Sequence, residues 1–304
     1  MRPAASLIIF TTLSGLGFGL ASLIGFGLIT AASPKWVMIH GVISLGLIGA
    51  GVISSTVHLG HPERAWRALS QWRSSWLSRE GVLAALTVLV LAIYFADHLY
   101  HGVPRVWLGA VVGILSVLTV IATAMIYASL KTVARWHNAL TPVVFVLLSL
   151  AGGVVAAAAL SALEGMDGTV ALTRLGLITV VLAMIIKTLW WLTAGASGSG
   201  STPESATGLG SLGEVRLLMS PHSEENWLQH EMGFQIARKH SHRLAWISLI
   251  LAAGVPILIM GLYPSSATLL VVAALVHLFG VMVERWLFFA EAKHTVTLFY
   301  GARH

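Results

Sequence analysis

Eight apolar stretches alternate with polar connections along this chain, and that pattern predicts an all-α integral membrane protein, a bundle of eight transmembrane helices. The stretches cover roughly 7–30, 36–59, 81–99, 105–128, 141–163, 170–192, 244–263 and 267–289. Each comes close to or exceeds the ~20 mostly apolar residues that a helix needs to cross a bilayer. The run from Leu7 to Thr30 is longer than the apolar core of a secretory signal, which predicts a retained first span. Two connections are long. Residues 60–80 are rich in Arg and Trp, and 193–243 opens with the Gly/Ser tract from Gly195 to Gly200, the composition of a flexible linker. Beyond that tract, Glu214 to Lys239 reads as a polar, partly helical segment outside the membrane. The expectation is a single membrane domain over 1–304, with 193–243 as an extended cytoplasmic loop and no internal repeat.

Composition agrees with this pattern. The chain is 57% hydrophobic and only 10% charged, whereas soluble domains carry about a quarter charged residues. The net charge of +6 would suggest nucleic acid in a soluble protein. Here it is the loop charge that fixes topology, and no nucleic-acid partner is expected. With eight spans, both termini share one side with the loops 60–80, 129–140 and 193–243. That side holds 14 of the 18 Lys and Arg residues, against Lys35, Arg105 and Arg174 on the other, with Lys187 inside the sixth span. Leaving out loop 193–243, the bias is still ten to three. Both termini are therefore expected on the cytoplasmic side of a bacterial inner membrane. The chain has no cysteine, which removes thiolate-held iron–sulfur clusters and a cysteine nucleophile.

The first two spans are glycine-rich. Gly15 and Gly19 have the spacing that lets helix backbones approach closely in lipid, and close packing of the first span on the second is expected. The most informative stretch is Val57-His58-Leu59-Gly60-His61-Pro62-Glu63-Arg64-Ala65-Trp66-Arg67, followed by Ser78-Arg79-Glu80. His58 ends the second span and Glu80 opens the third, so the two side chains can converge at one membrane interface. Titratable groups at that depth are functional candidates, and an imidazole beside a carboxylate suits chemistry that moves protons with electrons. The alternative is structural: His58 at headgroup level, Glu80 paired with Arg79 or Arg285, and Trp66, Trp72 and Trp76 as an interfacial belt.

A family resemblance favours the first reading. His58-Leu59-Gly60-x-Pro62, the Arg/Trp loop and Ser78-Arg79-Glu80 resemble the membrane-anchor subunits of dimethyl sulfoxide reductase and its relatives, among them the anchors of cytoplasmic quinone-linked sulfite dehydrogenases. Trp136-His137-Asn138-Ala139-Leu140-Thr141-Pro142 and the stretch from Glu284 to His294 are similar to further signatures of that family. The resemblance implies a quinone-binding anchor of a heterotrimeric oxidoreductase. Its partners would be a four-cluster ferredoxin-like iron–sulfur subunit and a molybdopterin catalytic subunit, so those cofactors lie on other chains. His58 and Glu80 would serve ubiquinone or menaquinone, with Trp66 and Arg285 as further candidate contacts. The charge bias puts that site, and the docked partners, on the cytoplasmic face, as in the sulfite dehydrogenase branch. Quinone reduction during sulfite oxidation is the favoured direction, and a quinol-oxidising anchor of a reductase is the alternative. The subunit alone would have no substrate activity. Loop 193–243 is longer than expected for the reductase anchor.

No haem is expected, because a bis-histidine haem needs two facing histidines at one depth. His40 and His58 are about 27 Å apart along one helix, and His277 has no partner at its depth in His137. His277 instead reads as a hydrogen bond to a neighbouring helix. His222, His230, His240 and His242 with Glu224, Glu225 and Glu231 show no familiar metal-ligand spacing and suit a docking surface. Arg238, Lys239 and Arg243 equally suit an anchor for the cytoplasmic end of the seventh span, and Glu284 with Arg285 suits an ion pair inside the eighth. A secondary transporter is the rival from another class, and the scarcity of acidic residues at span centres speaks against ion coupling.

Overall fold

The structure, a computed structural model, describes residues 3–29, 33–57, 59, 61–196, 201–219 and 240–300. His58 and most of the segment from Glu214 to Lys239, including His222, His230, Glu224, Glu225 and Glu231, lie outside the described residues.

Among the described residues, eight helices are long and apolar enough to cross a membrane. They are α1 (Ala5–Gly25), α2 (Pro34–Val57), α3 (Trp76–His101), α4 (Val106–Ala128), α5 (Leu140–Glu164), α6 (Thr169–Ala196), α7 (Ser241–Leu262) and α8 (Ala267–Ala290). They form without strong amphipathic stripes because both the bundle interior and its lipid surround accept apolar side chains. No strand occurs among the described residues.

The first helix is the hub. α1 packs against α2, α4, α5 and α8; α3 bridges α2 and α4, while α6 and α7 lie outside α5 and α8. Small residues make that position possible. A Cβ on Gly19 would lie 1.8 Å from the Ser149 carbonyl oxygen of α5, and Gly153 meets Gly19 from the other side. The Gly15–Gly19 pair thus faces α5, a correction to its expected role against α2. The α1–α2 contact is made by Gly17 against Ile48 and by Gly51 against Ser14. Spacing alone exposes a small-residue face without saying which neighbour fills it.

Helix α7 contains a π turn over Ile250–Gly254, followed by Pro256. Proline has no N–H, so the Ala252 carbonyl loses its ordinary α-helical donor. His277 of α8 fills that vacancy: its Nδ1 lies 2.6 Å from the Ala252 oxygen. One end of the bundle, the basic end, carries Arg79, Lys131, Arg135, Arg285 and Lys293. At the far end Asp97 pairs with Arg105 at 3.0 Å, and His40 lies 3.9 Å from Glu164.

Candidate functional site

Two groups of polar side chains sit at the basic end. The first lies where α3 begins. A 3₁₀ segment, Pro62–Gln71, precedes it and buries none of its residues. Its Trp66 is 67% exposed, with the Arg67 guanidinium 5.5 Å from its ring centre. Arg79 fastens this platform to α3. Its Nε donates to the Trp72 carbonyl at 3.0 Å, its Nη2 donates to the Arg73 carbonyl at 2.7 Å, and its guanidinium covers the Trp76 ring. Leu69 folds back over Gly81, where a Cβ would lie 2.6 Å from the Leu69 methyl.

Beneath the platform, Glu80 is only 6% exposed. The Thr123 hydroxyl of α4 donates to Glu80 Oε1 and also bonds the Thr119 carbonyl. Thr119 and Thr87 hydroxyls meet at 3.1 Å, so a ladder of hydroxyls follows the α3–α4 seam inward from Glu80. Ser78, two residues earlier, is buried and its Oγ has no hydrogen-bond partner among the described residues. Leu77 beside it is half exposed towards the lipid.

The second group lies across the bundle. Arg285 is 1% exposed on α8, which packs on α1, α5 and α7. Glu284 Oε1 is 2.5 Å from Lys187 Nζ of α6, and Glu284 Oε2 is 3.5 Å from Arg285 Nη1. Aromatic faces cover part of the cationic surface: Lys187 sits 3.7 Å over Trp190 and Arg285 3.6 Å over Phe145. Towards the surface Arg135 pairs with Glu291 at 2.6 Å. Burial raises the Glu291 carboxyl above its ordinary range, against the opposing pull of Arg135 and Lys187. Burial also lowers the His294 imidazole.

The Trp136–Pro142 motif clamps this region. Trp136 Nε1 donates to the Phe288 carbonyl at 2.9 Å, Trp190 Nε1 donates to Thr141 Oγ1 at 2.9 Å, and Thr141 Oγ1 donates to the Trp136 carbonyl at 2.9 Å. Tyr127 sits inside the resulting aromatic cluster against Trp136, Phe145 and Phe288.

Of the four residues singled out in the sequence, the structure buries Glu80 and Arg285 in separate settings and leaves Trp66 exposed. Glu80 meets Thr123 rather than Arg79 or Arg285, because Arg79 turns to the loop carbonyls and Arg285 to Glu284. Glu284 and Arg285 do pair, but with Lys187 as a third member. Lys187 stands out in the sequence as the one charge well inside a span, with no sign there of its partner. Thr123 and Tyr127 leave no signal among so many apolar neighbours.

Comparison with known proteins matches this architecture to one family. The chain is 31% identical to a sulfite dehydrogenase subunit of Allochromatium vinosum, over 99% of both proteins. It is 32% identical to a component of the anaerobic dimethyl sulfoxide reductase of Escherichia coli, over 40% of this chain and 44% of that one. With the like-named reductase component of Haemophilus influenzae the identity is 29%, over 49% and 55%. The family described as DMSO reductase anchor subunit (DmsC) matches residues 1–302, and the chain belongs to that family of membrane-embedded anchor subunits.

Proposed function

We propose that this anchor carries electrons between a partner iron–sulfur cluster and a quinone held at the basic end, beside Glu80 and His58. The observation that carries the reading is Glu80: a carboxylate buried at the mouth of the bundle whose described partner is a neutral hydroxyl, not a cation. The surroundings suit a quinone head group. Ser78 offers a buried hydroxyl without a described partner, and exposed Leu77 borders an approach from lipid.

A bound quinone takes up or gives back two electrons and two protons in each cycle. The chain's own part is to position the ring and handle the protons. With Thr123 donating to Oε1, Glu80 carries its transferable proton on Oε2, and Ser78 Oγ donates to a carbonyl oxygen. His58, which follows α2 in the sequence, serves the opposite oxygen, while Trp66 and its Arg67 neighbour cover the site from the water side. Arg285, buried on α8 beside Glu284, is left out of this proposed site.

The partners are a four-cluster iron–sulfur subunit and a molybdopterin catalytic subunit, docked over Trp66 and Trp72 on the cytoplasmic face. Positive charge concentrated on the loops at this end supports that orientation, and a reporter fused at His304 reads cytoplasmic if it holds. The full-length match to a sulfite dehydrogenase subunit, against partial matches to reductase components, favours sulfite oxidation with quinone reduction.

The test is Glu80→Gln in the assembled complex. Positioned acid–base groups contribute about 10²- to 10⁴-fold, so quinone-linked turnover falls at least ~100-fold while activity with a soluble artificial acceptor persists. The same separation is expected for His58→Ala. Quinone turnover at the wild-type rate in both variants refutes the site.

A further inference from the structure

We propose that the cavity between α1, α5 and α8 binds water that joins Arg285 to His277 and solvates the surplus positive charge of the Lys187–Glu284–Arg285 cluster. The cavity is small, with room for about one water molecule, and its polar wall is Thr11, Thr12, Ser149, His277 and Arg285. It shares no residue with the Glu80 site.

Three observations converge on it. The first is charge: two cations face one carboxylate in apolar surroundings, so a positive charge remains to be solvated. The second is the fixed tautomer of His277. Its Nδ1–H is committed to the Ala252 carbonyl that Pro256 leaves without an α-helical donor, so in the neutral ring Nε2 presents a lone pair. That Nε2 is buried without a hydrogen-bond partner among the described residues, and Gly152 faces it. The third is that Thr12 Oγ1 and Arg285 Nε and Nη1, also buried, make no hydrogen bond among the described residues.

A donor, an acceptor and a hydroxyl left unmet around one void are the setting in which proteins hold ordered water. Side chains on a helix lean towards its N-terminus, so Arg285 reaches along α8 towards His277, two turns earlier. Water accepting from the guanidinium and donating to Nε2 meets both needs at once. Ser149 also walls a second void with Ser22 and Ser116. The Ser116 hydroxyl there is likewise buried without a partner among the described residues.

The experiment is solid-state NMR on the full chain in lipid bilayers, with the subunits that purify with it and ¹⁵N-labelled histidine. The His277 signals are assigned by their loss in His277→Asn. Magnetisation transferred from water protons is expected to reach the unprotonated Nε2 of His277. In Gly152→Ala the new methyl stands 3.6 Å from Nε2 and 3.5 Å from Leu16, ordinary contact distances, so the chain folds and the water is displaced. The cross-peak is then lost while the protonated Nδ1 signal stays. Thr12→Val, which removes only the hydroxyl, weakens the same cross-peak and carries the test if Gly152→Ala fails to accumulate. Absence of the cross-peak in the unaltered chain, or its survival unchanged in both variants, overturns the proposal.

Discussion

Glu80 and Glu284 are both buried carboxylates at the same end of the bundle, yet their settings differ. Glu284 stands between Lys187 and Arg285 within an aromatic cage, and its charge is needed to balance theirs. Glu80 meets a threonine hydroxyl under an exposed loop, with the half-exposed Leu77 three residues before it. A carboxylate held by two cations is a structural brace. One held by a hydroxyl lacks that opposing charge, as the proposed proton role of Glu80 requires. Burial alone therefore does not distinguish a working acid from a brace; the charge of its neighbours does.

The sharpest way to break this contrast is to neutralise each carboxylate in turn. Glu284→Gln leaves two cations uncompensated, a loss of about 3–5 kcal/mol for a buried pair, and the subunit is expected to vanish from detergent-extracted membranes. Glu80→Gln extracts in normal amount, with only quinone turnover lost. If the two variants behave alike, the contrast fails. Lys187→Met is gentler, because Glu284 and Arg285 remain as a one-to-one pair. About 1–3 kcal/mol is expected, read as a lowered midpoint of thermal unfolding in detergent with the complex still assembled.

Thr123→Val tests the neutral side of the comparison. Losing one hydroxyl to Glu80 costs about tenfold in quinone turnover, equivalent to ~1.4 kcal/mol, without change in yield. The smallest effect concerns His294, just past α8. Its imidazole lies below the ordinary value of 6.5 because it is partly buried. The unfolded chain therefore binds this proton at a higher pH than the folded one, and stability present above 6.5 is lost as pH falls below it. A slight drop in thermal midpoint between pH 7.5 and 5.5, absent in His294→Asn, is the expected reading.

The eight-helix bundle was legible because lipid imposes one requirement, a long apolar run, on every span. The family was legible from short motifs at span ends, such as Trp136–Pro142, whose hydrogen bonds to Phe288 and Trp190 tie α5, α6 and α8 together. The Lys187–Glu284–Arg285 cluster was not. Its members lie on helices far apart in the chain, and nothing in either sequence window says that α6 and α8 bring them into contact. Gly15 and Gly19 failed in the same way: the sequence marks a close helix contact but leaves open which helix makes it. The π turn in α7 has Pro256 as its one local signal, and its consequence appears only where His277 meets the freed carbonyl.

The central place of α1 has a consequence for biosynthesis. The most enclosed of the described spans, α1, is made well before the partner that fills its groove: Ser149 and Gly153 belong to a helix more than a hundred residues later in the chain. Until α5 arrives, the Gly15–Gly19 face of α1 lacks the helix that fills it, while Ser14 and Gly17 already have α2. A chain halted after α4 is a natural target for membrane quality control, whatever the state of its redox partners.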